Sequence, residues 1–290
     1  MFVLPDGRVL AANSAETAIV TQTLDISAQT WSVIDTNAVD GGSAAMYLPG
    51  KILKSGTSTN PDDPAVPSAE TAYILDMTQP LPKWREISPM VFPRTYHTLT
   101  NLPDGKVLAT GGGPTTDALG VNDAIKSAEL WSPDTETWET MASMQRPRLY
   151  HSTAILLTDA RVLVMGGGRF NNQAAPTDQL SGEIYSPPYL FKGPRPVITS
   201  APVQIGYGQV IIVQTPDASR IGKVSMIKLG AVTHAFDMDQ RYVPLTFTTG
   251  SQSLSVQTPA NANFAPPGHY MLFIVDTMGV PSVAVTLNIQ

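Results

Sequence analysis

Apolar positions along this chain come in short runs broken by Gly, Pro, Asn and Asp. Four strings repeat one pattern: LPDGRVLAAN from Leu4, LPGKILKSG from Leu48, LPDGKVLATGGG from Leu102 and LTDARVLVMGGG from Leu157. Each predicts a tight turn followed by an apolar strand that ends in small residues. Downstream of each stands an Ala/Gly–Glu string, starting at Ser14, Ser68, Ser127 and Ser181. In the first three copies a tryptophan follows, at Trp31, Trp84 and Trp138. The strings around these tryptophans (AQTWSVI, LPKWREI, TETWETM) alternate polar and apolar residues, as half-buried strands do. Three landmarks stay in phase from copy to copy, so the repeat decides the architecture.

A period near 50 residues with a glycine doublet, a Glu-bearing strand and a late Trp matches the kelch pattern, in which each repeat is one four-stranded propeller blade. The tryptophans are expected to fill the wedges between neighbouring blades, where a small side chain would leave a void. The fourth copy has no such Trp and runs through EIYSPPYLF into the linker KGPRP. From about Arg195 the texture changes to short β runs (GQVIIVQT, KVSMIKLG, HYMLFIVD, SVAVTLNI) separated by turn residues. These predict an immunoglobulin-like β-sandwich. The expected fold is therefore all-β: a partial propeller of about three to four blades over residues 1–192, then a sandwich over 193–290. No helix longer than two turns is expected. Because the chain begins inside a repeat, an open blade edge is expected at the N-terminal side, and with it self-association.

Composition narrows the function. Apolar residues make up 42% and charged residues 14% of 290, with 25 Pro and 22 Gly, which suits many turns and few exposed helices. A net charge of −6 and pI near 5.1 leave no basic footprint, so nucleic acid is not an expected partner. No apolar run is long enough to span a membrane as a helix, and the N-terminal string has no signal-peptide character. The chain has no cysteine, which excludes disulfides, thiolate metal sites and cysteine nucleophiles. The glycine triplets lack the spacing and following helix of a phosphate loop. The acids form no catalytic pair. Asp6 and Asp104 belong to DG turns, and Glu16, Glu70, Glu129 and Glu183 recur with the repeat.

Two strings open blades with an Arg, a Tyr and a His: RTYHT at Arg94 and RLYHST at Arg148. Taken alone, they read equally well as repeat packing in a channel wall, and Arg94 and Arg148 as channel residues open to an oxygen-rich ligand. Together with the blade-to-sandwich junction EIYSPPYLFKGPRPVI, the segment GAVTHAFDMDQRYVPL and the C-terminal PPGHYMLFIVDTMGVPSVAVTLNI, they make the chain resemble the galactose oxidase and glyoxal oxidase family. Those proteins join a kelch propeller to an early-set immunoglobulin-like domain and hold one copper ion. The resemblance implies that Tyr96, Tyr150, His151 and His234 are the metal ligands, with Tyr96 and Tyr150 also catalytic. Imidazole nitrogen and phenolate oxygen suit Cu(II) in a tetragonal field with an open position. It implies oxidation of a primary alcohol or aldehyde by O2 to give H2O2, and a secreted or cell-envelope location.

This sequence departs from the family in two places. The family's radical tyrosine is crosslinked to a cysteine, whereas the corresponding stretch here is Gly41, Gly42, Ser43. An aromatic that stacks on that tyrosine is replaced by Pro114 and Thr115. A Tyr–Cys thioether cannot form, so impaired oxidation is expected. The alternative is a non-catalytic kelch and early-set module that binds carbohydrate or a protein, with Tyr47, Tyr73 and Phe170 as candidate platforms. His97 would rim the same channel, and His269 is expected to be structural.

Overall fold

The computed structural model describes residues 1–12, 20–37, 39, 41–58, 67–115, 122–168 and 178–290. Glu16 and Phe170 lie outside the described residues. Each repeat folds as one antiparallel meander. The first sheet holds β1 (Phe2–Val3), β2 (Val9–Ala11), β3 (Thr21–Asp25) and β4 (Thr30–Asp35). The second holds β5 (Ser43–Leu48), β6 (Lys51–Ser58), β7 (Ser68–Asp76) and β8 (Trp84–Glu86). The third holds β9 (Thr95–Asn101), β10 (Val107–Gly113), β11 (Ser127–Ser132) and β12 (Thr137–Ser143). The fourth has three strands among the described residues: β13 (Ser152–Leu156), β14 (Val162–Gly166) and β15 (Gly182–Tyr185). The LPDG-type strings thus form the first turn and second strand of each sheet; the Glu strings from Ser68, Ser127 and Ser181 form third strands, and the three Trp strings form fourth strands. The propeller is not closed.

The sandwich follows. Its strands are β16 (Gln204–Ile205), β17 (Val210–Gln214), β18 (Ile221–Lys228), β19 (Val232–Thr233), β20 (Phe236–Asp237), β21 (Tyr242–Leu245), β22 (Phe247–Thr249), β23 (Ser253–Gln257), β24 (Gly268–Asp276) and β25 (Val285–Ile289). They form a five-stranded sheet ordered β16-β25-β24-β18-β21, a three-stranded sheet ordered β17-β23-β22, and the separate hairpin β19-β20. The only helical turns among the described residues are Pro188–Phe191 and Ala218–Arg220, both 3-10.

Strand β24 explains how the two halves are joined. Between His269 and Asp276 its string YMLFIV is apolar throughout because both faces are covered. Tyr270, Leu272 and Ile274 point into the sandwich core, while Met271, Phe273 and Val275 join Leu108, Ala154 and Val164 of the third and fourth blades. Arg195 fixes the linker: its guanidinium donates to the carbonyls of Asp159, Pro281 and Ser282 at 2.8, 2.9 and 2.6 Å.

The tryptophans behave according to what precedes them. Trp84 is 8% exposed, packs with Leu10 and Met46 between the first two blades, and donates to Thr21 Oγ1 at 2.7 Å. Trp138 lies half-buried against the core between the second and third blades. Each therefore faces the blade before its own. Trp31 departs from the expected wedge filling: it is 51% exposed, beside Val33 at 54%, because no described blade precedes the first. A tryptophan outside the Trp strings, Trp131, is fully buried, with Tyr47 edge-on at 4.8 Å.

Candidate metal centre

The glycine triplet of β10 brings two backbone segments close. A Cβ on Gly112 would lie 2.5 Å from the Thr95 carbonyl, and one on Gly111 would lie 2.5 Å from the Arg148 carbonyl. Gly112 N–H in turn donates to the Arg148 carbonyl at 2.7 Å. With no side chain between them, the start of β9 and the turn before β13 approach. The rings of Tyr96 and Tyr150 meet edge-on with centroids 5.1 Å apart.

Arg94 and Arg148 anchor those segments from below. Both are fully buried. Arg94 donates to Glu129 at 2.8 Å and to the Gly111 and Ser127 carbonyls. Arg148 reaches Glu183, Gly166 and Ser181 in the same way. Neither guanidinium is open to a ligand, so the two arginines and the repeated glutamates hold the blades rather than line a channel. Glu70 has no such arginine before its blade and is exposed.

His234 arrives from the sandwich. It sits at the tip of the β19-β20 hairpin, whose two loop residues, His234 and Ala235, have φ of 51° and 60°. A two-residue hairpin with both loop residues at positive φ normally uses Asn-Gly, because a Cβ is strained there. The hairpin is held in place by its neighbours. Ser43 Oγ donates to the Ala235 carbonyl at 2.8 Å, and Gln240 brackets β5 through the Met46 N–H and the Ala44 carbonyl. Phe236 is buried with its ring 5.6 Å from Phe2.

The result is one cluster of four rings. Centroids of Tyr150 and His151 are 3.9 Å apart, those of Tyr150 and His234 are 5.6 Å apart, and those of His151 and His234 are 5.0 Å apart, at 89°. Tyr96 and His151 also have positive φ, at 61° and 62°. Three of the four residues thus hold strained backbone, which concentrates where surrounding structure over-determines a site. Thr233 Oγ1 lies 2.8 Å from His234 Nδ1, so that nitrogen is engaged and Nε2 remains for an outside partner. Two imidazoles and two phenols converging at a surface mouth are a donor set that fits a Cu(II)-sized ion.

The remaining expectations resolve differently. His97, next to Tyr96, does not rim the channel. It is fully buried against the second blade with Ser55 Oγ at 3.0 Å, and burial holds its imidazole down at about 3, hence neutral. His269 is exposed at the start of β24. Tyr47 is buried and Tyr73 half-buried, so neither is an exposed platform. At Gly41 an added Cβ would overlap the Lys54 stem. Lys54 is 1% exposed, donates to the Val39 carbonyl at 3.0 Å and lies 4.8 Å from the Trp84 ring. Its signal in the sequence was a charged residue inside the apolar string ILKSG. Pro114 and Thr115 tie the third blade to the second, through Ser68 N–H and a bridge to Pro67.

An open kelch-type propeller, packed on a sandwich that sends one histidine into a Tyr/His cluster, defines a class of two-part β proteins. Residues 44–189 match the family model for the glyoxal oxidase N-terminus, and residues 195–289 match the galactose oxidase-like early set domain. The chain is 34% identical over 260 residues to a galactose oxidase of Gibberella zeae, covering 86% of this chain and 37% of that protein. It is 34% identical over 230 residues to aldehyde oxidase GLOX of Vitis pseudoreticulata, covering 71% and 43%. The solved structure of a fungal alcohol oxidase of the AA5 family, in complex with copper, superposes with a TM-score of 0.90 at 27% identity over 100% of this chain and 62% of that one. The chain belongs to the galactose oxidase and glyoxal oxidase family. It spans about two fifths of the length of the two sequence relatives named.

Proposed function

We propose that Tyr96, Tyr150, His151 and His234 hold a single copper ion and that the site binds a primary alcohol or aldehyde. The observation that carries this reading is the His234 ring, 5.0 Å from that of His151. Repeat symmetry accounts for two tyrosines on neighbouring blades, but nothing in the repeat requires a sandwich hairpin to reach them. The copper-bearing fungal alcohol oxidase with the same fold supports the choice of metal.

Copper bound there would supply one-electron redox chemistry and an open position for a substrate oxygen. The chain's own residues would then divide the work. Tyr150 Oη would take the proton from the substrate hydroxyl as general base. Tyr96 would take a hydrogen atom from the substrate carbon, but only in its oxidised form. With no cysteine to crosslink it, Tyr96 is a plain phenol and hard to oxidise near neutral pH. The Lys54 stem at Gly41 favours a second component of the reading, that turnover is impaired while metal binding is retained. The test is an H2O2 assay on galactose, glyoxal and methylglyoxal after copper loading. Stoichiometric copper with little or no peroxide is expected. Turnover as fast as that of a crosslinked oxidase assayed beside it would contradict the impairment, and absence of copper binding would contradict the site.

A further inference from the structure

At the end of the strands away from the ring cluster lies a second concavity. Strand β9 runs seven residues from Thr95, beside the cluster, to Asn101, a span of roughly 20 Å. Beyond it, the β9–β10 turn, the outer turns of the second and third blades and sandwich strands β18 and β21 enclose a cavity of about 700 Å³. Ligand pockets occupy about 300–1,000 Å³ and favour junctions between folded parts.

The wall contains a buried group that the fold leaves unused. Tyr47 is 6% exposed, with its ring fixed against Trp131, yet its hydroxyl makes no hydrogen bond to any protein group among the described residues and borders the cavity. Burial, with Asp76 and Glu136 nearby, pushes this phenol up to about 12, so it stays a neutral donor.

The charges around it cancel. Lys51, Lys83, Arg85 and Lys223 face Asp76, Asp104, Asp134 and Glu136. Most are already engaged. Lys51 pairs with Asp76 at 2.9 Å, Arg85 grips Glu136 through two bonds of 2.9 and 2.7 Å, and Lys223 donates to the Asp104 carbonyl at 2.8 Å. An ion of either sign therefore gains as much repulsion as attraction here. A purely apolar ligand would strand these groups dry. Asp76 is filled by Thr78, Gln79 and Lys51, but Lys51 keeps spare N–H donors and the Arg85–Glu136 pair leaves spare donors beside spare acceptors; a hydroxyl is both at once. Leu48, Ile74 and Pro244 add apolar facets between the pairs, suited to the C–H faces of a sugar ring.

We infer that this cavity binds a neutral oligosaccharide, with the Tyr47 hydroxyl, the Lys51 ammonium and the paired Arg85–Glu136 side chains engaging its hydroxyl groups. The inference is independent of the copper reading, since no residue is shared and no metal is needed.

Isothermal titration of the metal-free chain with neutral xylo-, cello- and galactotetraose tests it. At least one is expected to bind saturably with a Kd of about 1 mM or tighter. Tyr47→Phe keeps the ring on Trp131 and removes only the hydroxyl, so it should weaken binding about tenfold. Glu136→Gln leaves the cavity net positive and should weaken the neutral sugar while admitting an acidic tetragalacturonate. A neutral Gly-Ser tetrapeptide should not compete. No saturable binding of any tetraose, equal affinity in Tyr47→Phe, or displacement by the peptide would each overturn the inference.

Discussion

Within the Gly41–Ser43 stretch, which the resemblance sets against the family's cysteine, Lys54 fills the space beside Gly41. The absence of cysteine was legible in the sequence, and so was the loss of the crosslink it implies. The lysine stem beside Gly41 showed only as a charge inside an apolar string, and which space it fills depends on packing between segments apart in sequence. We predict that Gly41→Cys alone destabilises the chain by about 1–3 kcal/mol through overpacking and forms no crosslink. Gly41→Cys with Lys54→Ala should accommodate the thiol. Intact mass and peptide mapping after copper and O2 exposure would show a loss of two hydrogens, and a peptide joining the introduced cysteine to Tyr96, only in the double variant. His97 carries a second prediction at this scale. Its burial beside Arg94 depresses its folded pKa to about 3, while the unfolded chain protonates near 6.5. The unfolded state then binds more protons below 6.5, so stability falls as pH drops from there toward 3, by up to about 1.4 kcal/mol per pH unit for this group. Urea unfolding at pH 7 and pH 5 should show a smaller loss in His97→Gln than in wild type, and equal losses would contradict the neutral buried imidazole.

The element that decides the site is the β19-β20 hairpin. Its string VTHAFD gave no hairpin signal, because His-Ala stands where Asn-Gly would normally announce the turn. Only the family resemblance singled out His234. What imposes the turn is tertiary: Ser43 on the Ala235 carbonyl, Gln240 on β5 and Phe236 against Phe2. Ser43→Ala would leave that buried carbonyl unpaired at a cost of about 1–3 kcal/mol. The hairpin should loosen, and copper affinity should fall by a factor of ten or more while blade stability, read from Trp84 and Trp131 fluorescence, changes little. Unchanged copper affinity in Ser43→Ala would show that the tether does not position His234. The blades, by contrast, were readable in advance, since turn residues, alternation and phased Glu landmarks act within one repeat. The pairing of buried Arg94 with Glu129 was not, because the two lie 35 residues apart and neither string says which arginine meets which glutamate.

For the whole molecule, the same repeat that made the fold legible misjudged Trp31. Its position promises a wedge, but a wedge needs two blades, and the first described blade shows Trp31 and Val33 to solvent. Apolar side chains exposed together on an open blade flank favour association. Sedimentation should reveal concentration-dependent self-association that Trp31→Gln with Val33→Thr reduces; a monodisperse wild-type monomer at high concentration would contradict this. The two halves meet where the sandwich histidine His234 faces the blade pair Tyr150–His151, the proposed metal centre. The most direct measurement is a copper titration of the purified chain followed by EPR, run in parallel on His234→Ala and His269→Ala. One tetragonal Cu(II) per wild-type chain with nitrogen hyperfine structure is expected, with an unchanged spectrum for His269→Ala and weakened binding with a nitrogen lost for His234→Ala. A His234→Ala variant that binds copper with the wild-type spectrum and affinity would contradict this expectation.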